Sequence, residues 1–212
     1  MLFRSAAEDG SPATVSAATH ASGTLYQDFG RALLQSQRPK KLSALEREQY
    51  DVLLEEQAYP FEEKAIEWHE GNVARARRVG LDEGIRQSLA ALRGLRPARW
   101  AKAEREDAGD GPASALVREA LAQRQRGEFG VARATLERAL ATEPGHPVAT
   151  LNLGVLLDLY LDEPQAAQAR YQAVLDAQPA GDPQVVKWLA EVKPRAAKAA
   201  ARAAAAAPKE PS

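Results

Sequence analysis

Apolar side chains recur at helical spacing through most of the 212-residue chain. Leu25, Phe29 and Leu33 follow one another at intervals of four, which places them on one face of a helix. Ser43 followed three residues later by Glu46 is a capping-box pattern at a helix start. The pattern predicts a helical region over residues 23–106. Its four helices begin at Thr24, Ser43, Pro60 and Asp82 and end near Pro39, Ala58, Gly80 and Gly94. The predicted buried stripe of the third helix is Phe61, Ala65, Trp68 and Val73.

The two ends of the chain lack this pattern. Residues 1–22 are mostly Ala, Ser, Thr and Gly, with almost nothing large to bury, and predict a flexible leader. Residues 195–212 are mostly Ala with scattered Lys, Arg and Pro, and predict a frayed basic tail. Weak binding of this tail to anionic polymer or lipid is the alternative. No apolar run suits a membrane span or signal peptide, so the chain as written is expected to be cytoplasmic.

A cluster of helix breakers at residues 107–112 predicts a linker, and the sequence beyond it is repetitive. Aligning Pro144 with Pro179 also superposes Ala132 on Ala167 at the same offset of 35. The predicted repeat units are residues 113–146 and 147–181, followed by an amphipathic helix over residues 182–194.

The spacing of these units resembles the tetratricopeptide repeat, a 34-residue helix-turn-helix motif with small, aromatic and Pro residues at set positions. The first unit supplies Ala120, Gly127, Phe129, Ala132, Leu136, Ala139 and Pro144, and the second supplies Asn152, Leu153, Gly154, Ala167, Tyr171 and Pro179. Glu119 and Gln123 depart from the pattern, because the family has apolar side chains at their positions. The resemblance implies an all-α, right-handed superhelix of antiparallel helix pairs, closed by residues 182–194 as a C-terminal capping helix.

Residues 24–106 resemble the segment that precedes the terminal repeats in long bacterial tetratricopeptide proteins, some of them associated with cell-envelope systems of the TonB type. The stretches that carry this likeness are residues 26–30, 45–65 and 97–100. It implies that the chain corresponds to the C-terminal part of a larger protein. In that case a periplasmic or envelope-associated location is the expectation.

Composition narrows the function further. Only 6% of residues are aromatic, and 28 basic residues nearly balance 29 acidic ones, so nothing indicates a specific nucleic-acid partner. The absence of Cys excludes a thiolate metal site and a cysteine nucleophile. His20, His69 and His146 are predicted to lie in the leader, a helix and a turn, which does not suit a zinc site. We therefore predict no catalytic, cofactor-binding or metal-binding residues, and a protein that is not an enzyme.

Charge is nevertheless segregated along the chain. Residues 44–70 carry nine acidic and two basic side chains, whereas residues 74–105 carry nine basic and three acidic ones. One interpretation is ion pairing between successive antiparallel helices. The other is a basic docking surface for an acidic partner. Its residues would be Arg75, Arg77, Arg78, Arg86, Arg93, Arg96 and Arg99.

The first helix of each repeat unit offers a second candidate surface, since in the family this face lines the concave peptide-binding side. The candidate residues are Val117, Leu121, Arg124, Val148, Leu151, Asn152, Val155 and Asp158. Their apolar stripe favours a hydrophobic or helical partner segment. The alternative is that the N-terminal helices cover this face. The prediction is a non-catalytic scaffold that binds a protein or peptide partner, with the oligomeric state left open. A structural or self-assembly role in envelope machinery is the alternative, and an enzyme ranks third.

Overall fold

The computed structural model describes residues 11–178 and 181–206, which contain helices and connecting segments but no strand. The predicted all-α class is therefore confirmed for this part of the chain. The chain divides into two compact units, Met1–Leu95 and Arg96–Ser212. The division follows residue 95, whereas the breaker cluster had predicted it at residues 107–112.

Within its described residues, 11–95, the first unit contains three helices, α1 Pro12–Leu34, α2 Ala44–Val79 and α3 Glu83–Leu95. The predicted leader is wrong for residues 12–22, which form the first half of α1. The reason is that small residues allow α1 and α3 to approach closely. Ser16 is fully buried, and a Cβ placed on Gly84 would lie 2.6 Å from the backbone carbonyl carbon of Ser16. Small side chains had been taken as a lack of core, yet they permit close helix packing. Residues 1–10 lie outside the described residues.

Helix α2 corrects a second prediction. Ser43 and Glu46 form the expected capping box, and Gly80 ends the helix with φ of 81°. Pro60, however, lies inside a single 36-residue helix and does not begin a new one. A proline in a helix interior removes one backbone hydrogen bond at a cost of about 3 kcal/mol. Pro60 is exposed, while Leu54, Ala58, Ala65 and Ile66 are buried on either side of it, so packing offsets that cost.

The buried face of α2 also differs in part from the predicted stripe. Ala65 and Val73 are buried as expected, but Phe61 is half-buried and Trp68 is 38% exposed. The face turned into the unit includes the polar His69 and Asn72, both fully buried.

The second unit begins with a single turn, α4 Pro97–Trp100, and an extended stretch that has no helix until residue 112. Five longer helices follow: α5 Pro112–Gln125, α6 Phe129–Thr142, α7 Pro147–Leu159, α8 Pro164–Asp176 and α9 Pro183–Ala206. Residues 101–106, which lie inside the predicted helical region, form no helix. Each stretch predicted as a repeat unit contains two of these helices.

Close packing in the second unit depends on small residues. Ala120, Ala132 and Ala167 are buried, and a Cβ at Gly154 would lie 2.8 Å from the Tyr171 ring. Helix α7 is the centre of the unit, because every residue from 149 to 159 is buried.

Helix α9 extends beyond its predicted end. Asp182 accepts hydrogen bonds from the backbone N–H groups of Gln184 and Val185 at its start, and the helix continues through Pro194 to Ala206. The predicted frayed tail is therefore wrong for residues 195–206. Ala196 is buried and Arg195 pairs with two acidic residues, so the packed part of the helix extends past the predicted boundary at residue 194. Residues 179–180 and 207–212 lie outside the described residues. None of the described helices has the length and apolar character that a membrane span requires.

Candidate peptide-binding groove

An extended stretch of the second unit lies along the face of α7. We call residues 101–110 the groove segment, and we call the α7 face that it covers, bordered by α5 and α9, the groove. Lys102 contacts Asp158 near the end of α7, Arg105 contacts Asn152 at its middle, and Asp107 contacts His146 just before its start. The segment therefore runs antiparallel to the helix. The five-residue step from Lys102 to Asp107 spans about 17 Å in an extended chain, and the twelve-residue step from Asp158 to His146 spans about 18 Å in a helix. Because the two lengths match, the segment stays alongside α7 over this distance.

Asn152 binds the backbone of the groove segment at two points. Its Nδ2 donates to the carbonyl oxygen of Arg105 at 2.8 Å, and its Oδ1 accepts from the N–H of Arg105, also at 2.8 Å. Asn152 is fully buried, so water does not compete for these groups. A primary amide carries the donor and the acceptor that a peptide unit in an extended chain requires. This contact is therefore independent of the side chain at position 105.

The first end of the segment is held by a buried ion cluster. Lys102 Nζ pairs with Asp158 and lies 2.5 Å from Glu191, while Arg195 pairs with the same two carboxylates. Tyr171 donates its hydroxyl to Asp158 at 3.1 Å. Two cations and two anions balance one another, which buried charge requires. Desolvation alone would raise the pKa of Glu191, but hydrogen bonds from Arg195 and Lys102 lower it overall.

Three further contacts follow along the segment. Glu104 pairs with Arg124 of α5, and the Arg124 Nε lies 2.8 Å from the Glu104 carboxylate. The Arg124 guanidinium also lies 5.5 Å from the centre of the Tyr160 ring. Arg105 pairs with Asp182 at 2.5 Å. Arg118 donates to two carbonyl oxygens of the segment, those of residues 107 and 109.

His146 lies beside Asp107, the third acidic side chain of the segment. Its Nδ1 accepts from the N–H of Ala149 at 3.3 Å and so caps α7. Its Nε2 lies 3.1 Å from the Asp107 carboxylate.

Several groove residues predicted from the sequence contact the segment directly, namely Arg124, Asn152 and Asp158. Val117, Leu151 and Val155 are buried, and Leu121 and Val148 are half-buried. The covering residues precede residue 111, but they are extended and highly charged, whereas helices had been expected to cover this face. The groove is therefore not an open apolar stripe.

No known family model, curated protein or solved structure matches this chain.

The predicted basic docking surface does not fall within one compact unit. Arg75, Arg77, Arg78, Arg86 and Arg93 belong to the first unit, and Arg96 and Arg99 belong to the second. Arg75 donates to the carbonyl oxygen of Pro12 at 3.4 Å. Arg99 lies 4.6 Å from the centre of the Trp100 ring and 3.9 Å from Asp162. Arg75 and Arg99 thus contact residues of their own units.

A polar cluster in the first unit resembles a nucleophile and base. Ser88 Oγ lies 3.2 Å from His69 Nδ1 and 2.9 Å from Asn72 Nδ2, which donates to it. All three side chains are fully buried, so no substrate reaches the hydroxyl. Desolvation, and then the neighbouring His20, lower the pKa of His69 to about 4. The described residues contain no group of three or more His, Asp or Glu suited to a metal ion.

Proposed function

We propose that the second unit is a tetratricopeptide-type scaffold that binds an extended peptide in its groove and performs no catalysis. The helix-turn-helix units, the small residues that permit close packing, and the position of Asn152 in the first helix of the second unit support this assignment. Ser88 and His69 are fully buried, which argues against a hydrolytic role for the first unit.

The observation that carries the proposal is the two-point contact between Asn152 and a peptide backbone. Peptide-recognition surfaces obtain affinity from main-chain hydrogen bonds and specificity from side-chain pockets. The groove offers main-chain hydrogen bonds at Asn152. It offers side-chain sites at the ion cluster, Arg124 and His146, which lie on either side of Asn152. A partner bound this way would have a Kd near ~1 μM, or about −8 kcal/mol.

The test is a selection of random 12-residue peptides on the immobilised full chain carrying Lys102→Ala, Glu104→Ala and Asp107→Ala, which we call the unanchored variant. These changes remove the side-chain contacts that Lys102, Glu104 and Asp107 make in the groove, keep the Arg105 pair with Asp182, and leave the groove residues intact. We expect selected peptides to lose at least about ten-fold in affinity when Asn152→Ala is added. Gln172→Ala, which removes an exposed amide on α8, is the matched control and should have no effect. A folded unanchored variant that selects no peptide, or peptides insensitive to Asn152→Ala, would refute the proposal.

Self-assembly is the second candidate, favoured by a stripe on α2. Leu45, Val52 and Tyr59 are spaced by seven residues and are 64%, 49% and 63% exposed. Residues at this spacing lie on nearly the same helix face and are suited to pairing with the same helix of a second copy. Sedimentation equilibrium of the wild type and of Val52→Glu tests it. A wild-type monomer at about 100 μM would exclude this candidate.

A further inference from the structure

We infer that the groove segment is an internal ligand, and that the external partner is an extended peptide with the same charge order. That order is a basic residue followed two and five positions later by acidic residues. The inference rests on the proposed function, since it names the partner of the same groove.

The first step is the orientation of the segment's side chains. Lys102, Glu104 and Asp107 are turned into the groove, with side chains 0%, 10% and 9% exposed. Ala103 and Glu106 between them are exposed. Successive side chains of an extended chain point to opposite sides, so a peptide in this register presents positions one and three together. The backbone of the fourth position then meets Asn152.

The second step is the charge that each inward side chain meets. The basic residue lies between Asp158 and Glu191, the first acidic residue meets Arg124, and the carboxylate of the second lies 3.1 Å from Nε2 of His146. A peptide with apolar residues at these positions would leave buried charges of the groove short of partners. Unpaired buried charge disfavours binding strongly. A hydrophobic or helical partner, which the sequence had favoured, is therefore the poorer occupant.

The third step is competition between the tethered and free ligands. A segment attached by a short connection has an effective concentration of ~1 mM at its own site. With the Kd of ~1 μM proposed for the groove, the tethered copy would weaken the binding of a free peptide by about 1,000-fold. The wild-type chain should therefore bind a partner of this charge order weakly, and the unanchored variant should bind it well.

The experiment uses a fluorescein-labelled peptide with the sequence of residues 101–110 and follows its anisotropy on titration with full-length protein. The control peptide exchanges Lys102 and Glu104 and so keeps the composition. We expect the unanchored variant to bind the natural peptide at least about ten-fold more tightly than the wild type does, and at least about ten-fold more tightly than it binds the control. Equal binding of the two peptides, or binding of neither by a folded variant, would overturn the inference.

The results distinguish a failure of this inference from a failure of the proposed function. If peptides from the random selection bind the groove but lack this charge order, the inference falls and the proposed function stands. If the folded variant binds neither the selected nor the natural peptide, both fall.

Circular dichroism shows whether the unanchored variant folds. If it does not, hydrogen exchange of the wild-type chain decides. The Arg105 N–H donates to Asn152 in the folded chain. Natural peptide at ~2 mM exceeds the ~1 mM effective concentration of the tethered segment and should displace it, so we expect this N–H to exchange faster. The control peptide should leave its exchange unchanged. Identical exchange with and without the natural peptide would overturn the inference.

Discussion

Replacing Asn152 with Ala tests the contact on which the groove assignment depends. The change removes two hydrogen bonds of 2.8 Å from a fully buried side chain. A typical hydrogen bond contributes about 1 kcal/mol net, and a buried group left without a partner costs about 1–3 kcal/mol. Water that enters the vacated space satisfies part of the Arg105 backbone. We therefore expect Asn152→Ala to lower the free energy of unfolding of the second unit by about 2–4 kcal/mol.

Urea denaturation followed by tryptophan fluorescence measures this loss, because Trp100 and Trp188 are buried in the second unit. Gln172→Ala removes an exposed amide and should change stability by less than about 0.5 kcal/mol. Asn152→Asp adds a sharper comparison: it keeps an acceptor for the Arg105 N–H but places a carboxylate against the Arg105 carbonyl oxygen. It should be at least as destabilising as the Ala variant. A loss no larger than that of the Gln172 control would refute the assigned role of Asn152.

Three further changes test the packing of the two units. Gly154→Ala places a Cβ 2.8 Å from the Tyr171 ring and should destabilise by about 1–3 kcal/mol in thermal melts, whereas Gly130→Ala, a helical position with nothing within 4 Å, should stabilise slightly. Since the pKa of His69 is about 4 in the folded state and about 6.5 unfolded, the unfolded chain binds more protons as pH falls through this window. Urea titrations should show about 2 kcal/mol less stability at pH 5 than at pH 7 from this residue, a dependence that His69→Gln should remove. Pro60→Ala restores a backbone hydrogen bond on an exposed face of α2 and should raise the melting temperature, and an unchanged or lower value would show that Pro60 is not strained there.

Local chemistry predicted the helix ends that depend on a few neighbouring residues. The capping box at Ser43 and the stop at Gly80 are confirmed, because each depends on hydrogen bonds or backbone geometry within one turn. The break at Pro60 was wrong because the burial of residues on both sides holds the helix together. Such burial comes from other helices and leaves no mark in the local pattern.

The groove was predictable in part. Arg124 and Asp158 were singled out by their register on the first helix of each unit, Asn152 was named beside them, and all three contact the groove segment. The segment itself was missed, because its partners are distant in the chain: Arg105 and Asn152 are 47 residues apart, and Lys102 and Glu191 are 89 apart. Its charges follow neither helical nor strand periodicity. The available signal was that residues 101–110 carry no large apolar side chain.

The 89-residue separation between Lys102 and Glu191 also sets an order of events during synthesis. Chains grow at about 5–20 residues per second, so roughly 4–18 seconds separate translation of the two residues. Helices α5 to α8 pair with close neighbours in the chain and can form hairpins as they emerge. The groove segment has to wait for its last partner. A newly made chain therefore passes through a period in which helices are present, the groove is unfilled and the charged segment is free to be captured elsewhere.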